Sequence, residues 1–210
     1  MNPPPEPPAK VLDRLLFWSA AVFIGILQTW AHRHDFAPDS ISYIELAWAA
    51  ARSGITHLVN GYWSPLYPFL LSLEFRFFAP SPQMEFAAVH LLNFLLFLGT
   101  IAGFELFLKE LILARRAASP LPGESVADSE RALSLWGGVL FVWATQFWLG
   151  PAVITPDLCV ATLAFLATVL LLQMRRGRFS WPVFLLFGAL TFSDKIQHHL
   201  SKRKAERFLG

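Results

Sequence analysis

Four stretches of this chain run for about the thickness of a membrane without a single charge. Residues 15–31 span 17 positions, 86–104 span 19, 132–156 span 25 and 158–174 span 17. A bilayer core of about 30 Å takes roughly 20 apolar residues of helix to cross. In hydrocarbon every backbone polar group must be satisfied within the segment itself, which leaves helices as the economical solution. The stretches predict an all-α integral membrane protein. Residues 179–193, 15 uncharged positions, are short for a full crossing. About 4–5 transmembrane helices are therefore expected. The first stretch lacks a good cleavage signal behind it and reads as a retained anchor.

Composition supports the same class. The chain is 55% hydrophobic and only 15% charged, against roughly 25% charged in ordinary soluble domains. A net charge of +2 is too small to argue for nucleic acid. One cysteine, Cys159, excludes an internal disulfide and a Cys-rich metal site. Residues 1–13 open with MNPPPEPPAK, a Pro-rich stretch expected to be a disordered cytoplasmic tail.

Orientation follows from the basic residues between the apolar runs. Lys10 and Arg14 precede the first, Lys109, Arg115, Arg116 and Arg131 bracket the loop after the second, and Arg175, Arg176 and Arg178 follow the fourth. If these sites are cytoplasmic, the chain is a multi-pass protein with its N-terminus inside. It then has a long outer loop over residues 32–85 and a cytoplasmic loop over 114–131, within a transmembrane domain covering 14–193.

The outer loop is patterned. Ile41, Ile44, Trp48 and Ala51 recur at helical spacing, the stripe of an amphipathic helix facing lipid or the bundle. Its start admits a capping box of Ser42 and Glu45, or a cap by Asp39 one turn earlier. After the Asn60-Gly61 turn signal come Tyr62, Trp63 and Tyr67, aromatics that suit the headgroup region. A second interfacial helix is expected beyond Pro68, too short and, with Glu74 and Arg76, too charged to span.

Two acids fall at the same predicted water–lipid boundary. Asp39 lies just past the outer end of the first helix, and Asp157 opens the fourth in ITPDL. Local chemistry leaves two readings open for each. Asp39 can simply cap a helix. Thr155-Pro156-Asp157 can be a cap, a proline at the first helical position and an acid suited to the helix dipole. Equally, a bundle could bring the two carboxylates to one cleft.

The order of these elements carries a family resemblance. A first transmembrane helix is followed by D-S-x-x-Y-x-x-x-A (Asp39, Ser40, Tyr43, Ala47). Then come N-G-Y-W-S-P-L-Y-P over residues 60–68 and T-P-D over 155–157. Across roughly residues 12–192 the chain resembles the N-terminal part of a bacterial GT-C glycosyltransferase. The group it is similar to includes protein mannosyltransferases, aminoarabinose transferases and RgtA/B/C/D-like lipopolysaccharide-core enzymes. The resemblance implies a polyprenyl-phosphate-linked sugar as donor, a glycan, lipid or protein acceptor, and transfer at the outer face of the cytoplasmic (inner) membrane. Asp39 takes the position of the general base, removing a proton from the acceptor hydroxyl as its oxygen attacks the anomeric carbon. Phosphate is a good leaving group, so a single base suffices for an inverting displacement. Asp157 takes a supporting position, orienting the acceptor or a bound cation. Ser40, Tyr43, Tyr62, Trp63 and Tyr67 are the implied substrate contacts, with interfacial anchoring an equal explanation for the aromatics. Some relatives use a divalent cation, so the cofactor stays open.

Other constellations have plainer readings. His32, His34, Asp35 and Asp39 match no standard metal-site spacing and read as a solvated juxtamembrane cluster. His90 and Asn93 share a helix face and are expected to hydrogen-bond to neighbouring segments. Gly99-x-x-x-Gly103 and Gly137-Gly138 are expected to mark close helix contacts. Enzymes of the resembled class have about twice as many membrane helices. Residues 194–210, with Lys195, Lys202, Arg203, Lys204 and Arg207, would then read as a truncated or frame-shifted end. The alternative to a transferase is a small non-catalytic membrane protein, a scaffold or a permease subunit.

Overall fold

The computed structural model of the protein describes residues 8–58, 63–117, 125–177, 181 and 188. In chain order the elements among them are α1 (Pro8–Ala31), α2 (Pro38–Ser53), a 3-10 turn (Ile55–Leu58), α3 (Leu66–Phe78), α4 (Glu85–Ala117), α5 (Val126–Phe147) and α6 (Asp157–Arg175), with no strand. Stretches over Leu12–Ala31, Glu85–Ala117 and Asp157–Arg175 are long and apolar enough to cross a membrane. The expected fifth segment and the basic stretch after it lie outside the described residues, residues 181 and 188 excepted.

Three boundaries differ from the sequence reading, each for a local reason. Helix α1 begins at Pro8, so the second half of the expected tail is helical. Proline is tolerated there because the first-turn N–H has no partner in any helix. The 25-residue uncharged run breaks at Phe147, and residues 148–156 form an irregular loop. Pro151 lacks an N–H, and its ring would collide with the carbonyl four residues earlier. Helix α5 is also not among the spanning candidates; Asp128, Glu130 and Arg131 sit in its first turns. Helix α4, finally, runs past the charges that ended its apolar run, to Ala117, which shortens the loop expected over 114–131. Its 33 residues are about 50 Å long, well beyond a 30 Å bilayer core.

Paired charges let α4 continue. Glu105 accepts a hydrogen bond from the Trp18 indole N–H at 2.5 Å and forms an ion pair with Arg14. Glu110, buried, is held by Arg176 at 2.5 Å and by the Gln173 amide at 3.2 Å. A buried carboxylate without such partners would be costly. Around the first of these pairs, Phe104 stacks on Phe141 at 4.5 Å, and Trp18 meets both rings edge-on.

Helix α4 is the hub, packed by α6, α5, α1 and α3, while α2 lies mainly on α3. Small residues set the close approaches, as the spacing of Gly99 and Gly103 predicts. A Cβ at Gly103 would meet Phe165 Cβ of α6 at 3.4 Å. The tightest crossing is one that the sequence motif does not mark: a Cβ at Gly25 of α1 would lie 2.8 Å from the ring of Phe97, which is fully buried. Gly25→Ala should therefore destabilise the bundle by about 1–3 kcal/mol through overpacking. Gly99→Ala, whose Cβ has 3.9 Å to its nearest neighbour, should be neutral or slightly stabilising through helix propensity. Thermal unfolding of both variants in detergent checks the contrast.

Leu15, Leu16, Phe23 and Leu27 of α1, like Leu135, Leu140 and Trp143 of α5, stay exposed. In a bilayer the exposed face of α1 meets acyl chains, as a membrane-crossing helix requires.

Candidate functional site

One end of the bundle gathers the loop of residues 32–37, helices α2 and α3, and the loop of residues 148–156. The core there consists of Tyr43, Ile44, Ala47, Tyr67, Leu71, Phe75, Val89 and Ile154. The buried face of α2 is Ser40, Tyr43, Ile44, Ala47 and Ala50. That is rotated from the expected stripe of Ile41, Ile44, Trp48 and Ala51, and Ile41 points outward, 44% exposed. The rotation turns Tyr43 toward α3, where its ring sits edge-on to Tyr67 at 5.2 Å and to Trp63 at 4.7 Å. An aromatic triad of this kind outweighs one isoleucine in buried area.

The start of α2 is capped by neither expected arrangement. Ala37 is the cap residue, Pro38 opens the helix, and the Ser40 hydroxyl accepts the Ala37 N–H at 3.0 Å. That same hydroxyl faces Ile154 O at 3.5 Å, which ties the α2 entry to the loop before α6. Helix α6 opens one residue later than expected. Pro156 is its cap, no side chain serves it, and Asp157 stands first in the helix.

Asp39 and Asp157 are exposed, each in the first turn of its helix, and among the described residues neither carboxylate has a hydrogen bond or ion pair. The segments that carry them meet through Ser40 and Ile154.

What holds this layer together is a line of polar groups on α4 that the sequence marked only as packing. The Asn93 amide donates to Val153 O at 2.8 Å, and its oxygen accepts from the Tyr67 hydroxyl at 2.8 Å. His90 has a ring nitrogen 3.0 Å from Pro151 O and the other 3.1 Å from Asp35 O. About two turns beyond Asn93, the Thr100 hydroxyl lies 3.1 Å from Leu158 O and 2.8 Å from the Thr162 hydroxyl. All three side chains are fully buried. Irregular backbone at a membrane boundary needs such partners, because its own N–H and C=O groups are not paired by a helix. Asn93→Leu keeps the branched outline, with bulkier methyl groups, but strands the Tyr67 hydroxyl and leaves Val153 O with only the Thr155 N–H. A loss of about 2 kcal/mol is expected, read as a lower Tm in detergent.

The expected substrate contacts divide. Ser40 is buried and engaged as described. Tyr43 and Tyr67 are core residues, 5% and 1% exposed, with no free face for a ligand. Burial also pushes the Tyr67 phenol above its usual ionisation range, which keeps it a donor to Asn93. Trp63 is half-buried against the same cluster. Tyr62 lies outside the described residues.

Glu74 of α3 is the residue that sequence reasoning passed over. It is 8% exposed, its Oε2 has no hydrogen-bond partner among the described residues, and burial raises its carboxyl from 4.5 to about 7. The only available signal was an acid on the same face as Leu71 and Phe75.

Among the described residues no group of three or more His, Cys, Asp or Glu is placed to hold a metal ion. His32 pairs with Asp35 at 2.7 Å instead, and both are exposed.

Comparison with known proteins finds no matching family model, no curated relative and no similar solved structure.

Proposed function

We propose that this chain is a membrane glycosyltransferase, or the N-terminal portion of one. It transfers a sugar from a polyprenyl-phosphate donor to a glycan, lipid or protein acceptor at the outer face of the cytoplasmic membrane. Its N-terminus is inside, and helices α2 and α3 lie at the outer interface. One observation carries the reading: two unengaged carboxylates, Asp39 and Asp157, stand on first turns whose segments are tied together by Ser40 and Ile154. Asp39, on the exposed side of the α2 entry, is the general base. It accepts the proton of the attacking hydroxyl while the donor's phosphate leaves with the bonding electrons. Asp157 orients the acceptor, and Trp63 offers a ring edge or face to sugar or isoprenoid.

A second reading has its own support. The burial of Tyr43 and Tyr67 suits a non-catalytic scaffold whose outer helices only seat the bundle. The test is transfer from a radiolabelled polyprenyl-phosphate sugar by the purified chain in liposomes, with Asp39→Asn as the control. Turnover abolished by the substitution supports the transferase. Transfer absent from both proteins, with the fold intact, supports the scaffold.

A further inference from the structure

His90 faces only acceptors. Its Nδ1 and Nε2 lie 3.0 and 3.1 Å from two backbone carbonyl oxygens, Pro151 O and Asp35 O, and the side chain is fully buried. A neutral imidazole carries one N–H and one lone pair. Either tautomer places an N–H on one loop carbonyl and the ring itself against the other.

The two carbonyls are not arbitrary. Asp35 lies four residues before Asp39, in the loop that enters α2. Pro151 lies six residues before Asp157, in the loop that enters α6. No other side chain among the described residues hydrogen-bonds both loops. Asn93 reaches only Val153 O of the second, and Ser40 is itself part of the α2 entry.

We propose that His90 is the positioning residue of the site. Its ring bridges the Asp35 and Pro151 carbonyls, and so fixes the α2 entry that carries Asp39 against the loop that leads to Asp157. The assignment of Asp39 and Asp157 rests on the transferase reading; the clamp itself is a property of the fold.

Two measurements on the full chain in nanodiscs test this without any turnover assay. The first is the ¹⁵N spectrum of ring-labelled histidine, with the His90 signal assigned by its loss in His90→Gln. A His90 ring N–H protected from solvent exchange is expected; exchange as fast as that of the exposed His34 and His57 overturns the clamp. The second is the distance between spin labels at His34→Cys and Val153→Cys, in a Cys159→Ala background. A single narrow distribution is expected with His90, and one at least twofold wider with His90→Ala. Equal widths overturn the proposal. If His90→Ala does not fold, the ¹⁵N result on the unsubstituted chain still decides. A clamp signature in a protein without transferase activity would leave the clamp standing and remove the catalytic assignment of the two acids.

Discussion

Asp39→Asn is expected to lower sugar transfer by about 10²–10⁴-fold, the range a lost general base commonly produces, with expression and fold preserved. The separation of chemistry from stability rests on the cap geometry. Asn caps a helix about as well as Asp, and Asp39 is not the cap. The Ser40 hydroxyl holds the Ala37 N–H, and among the described residues Asp39 has no bond of its own to lose. What remains is its charge near the helix N-terminus, worth about 0.3–1 kcal/mol at an exposed site. A large fall in turnover with an almost unchanged Tm would isolate the carboxylate as a proton acceptor. Asp157→Asn should act more weakly, about tenfold, because an orienting hydrogen bond survives in part through the amide oxygen. If both variants turned over at the wild-type rate, neither acid would touch the reaction. If Asp157→Asn were the more damaging, the two roles would be reversed.

The parts of the fold that were legible in the sequence are those governed by one-dimensional rules. Helices α1, α4 and α6 each contain one of the uncharged runs, since a long charge-free stretch is what hydrocarbon tolerates. The packing role of Gly103 was readable for the same reason: close approach needs a missing side chain. The break at Phe147 was less so, because Leu149, Gly150 and Pro151 are as uncharged as their neighbours and only Pro151 carries the information. The face of α2 was misjudged because isoleucine was weighted over Tyr43, whose partners Trp63 and Tyr67 lie some twenty residues on. The continuation of α4 beyond Phe104 depends on Arg14 and Arg176, remote in sequence and adjacent in space. At the candidate site, both acids and the hydrogen-bonding pair His90 and Asn93 could be named in advance, but not the loops that the pair would serve. His90 and Asn93 are a lone polar pair in an apolar run, and only the loops folded back over them show which carbonyls they serve.

Glu74 should make the docking of α3 weaken as the pH rises. Its carboxyl is raised from 4.5 to about 7 because burial penalises the ionised form. Below 4.5 the group is protonated in both the folded and the unfolded chain and contributes nothing to the pH dependence. Between 4.5 and 7 the unfolded chain releases its proton while the folded one keeps it, so the unfolded state gains. Stability falls through this window and levels off above it. At 1.36 kcal/mol for each pH unit separating the two values, the full change is roughly 3 kcal/mol. Other carboxylates titrate nearby, so the informative quantity is the difference between wild type and Glu74→Gln, whose amide cannot ionise. That difference should be small at pH 4.5, grow in favour of the variant toward pH 7 and stay constant to pH 8. Unfolding in detergent reads the global part, and hydrogen exchange of the α3 amides reads the local part. Parallel curves for the two proteins would mean that Glu74 reaches water or an unrecognised donor even in the folded state. A variant less stable than wild type at every pH would mean the reverse: that the unpaired Oε2 is engaged as a carboxylate, and that α3 is held in place by its charge rather than in spite of it.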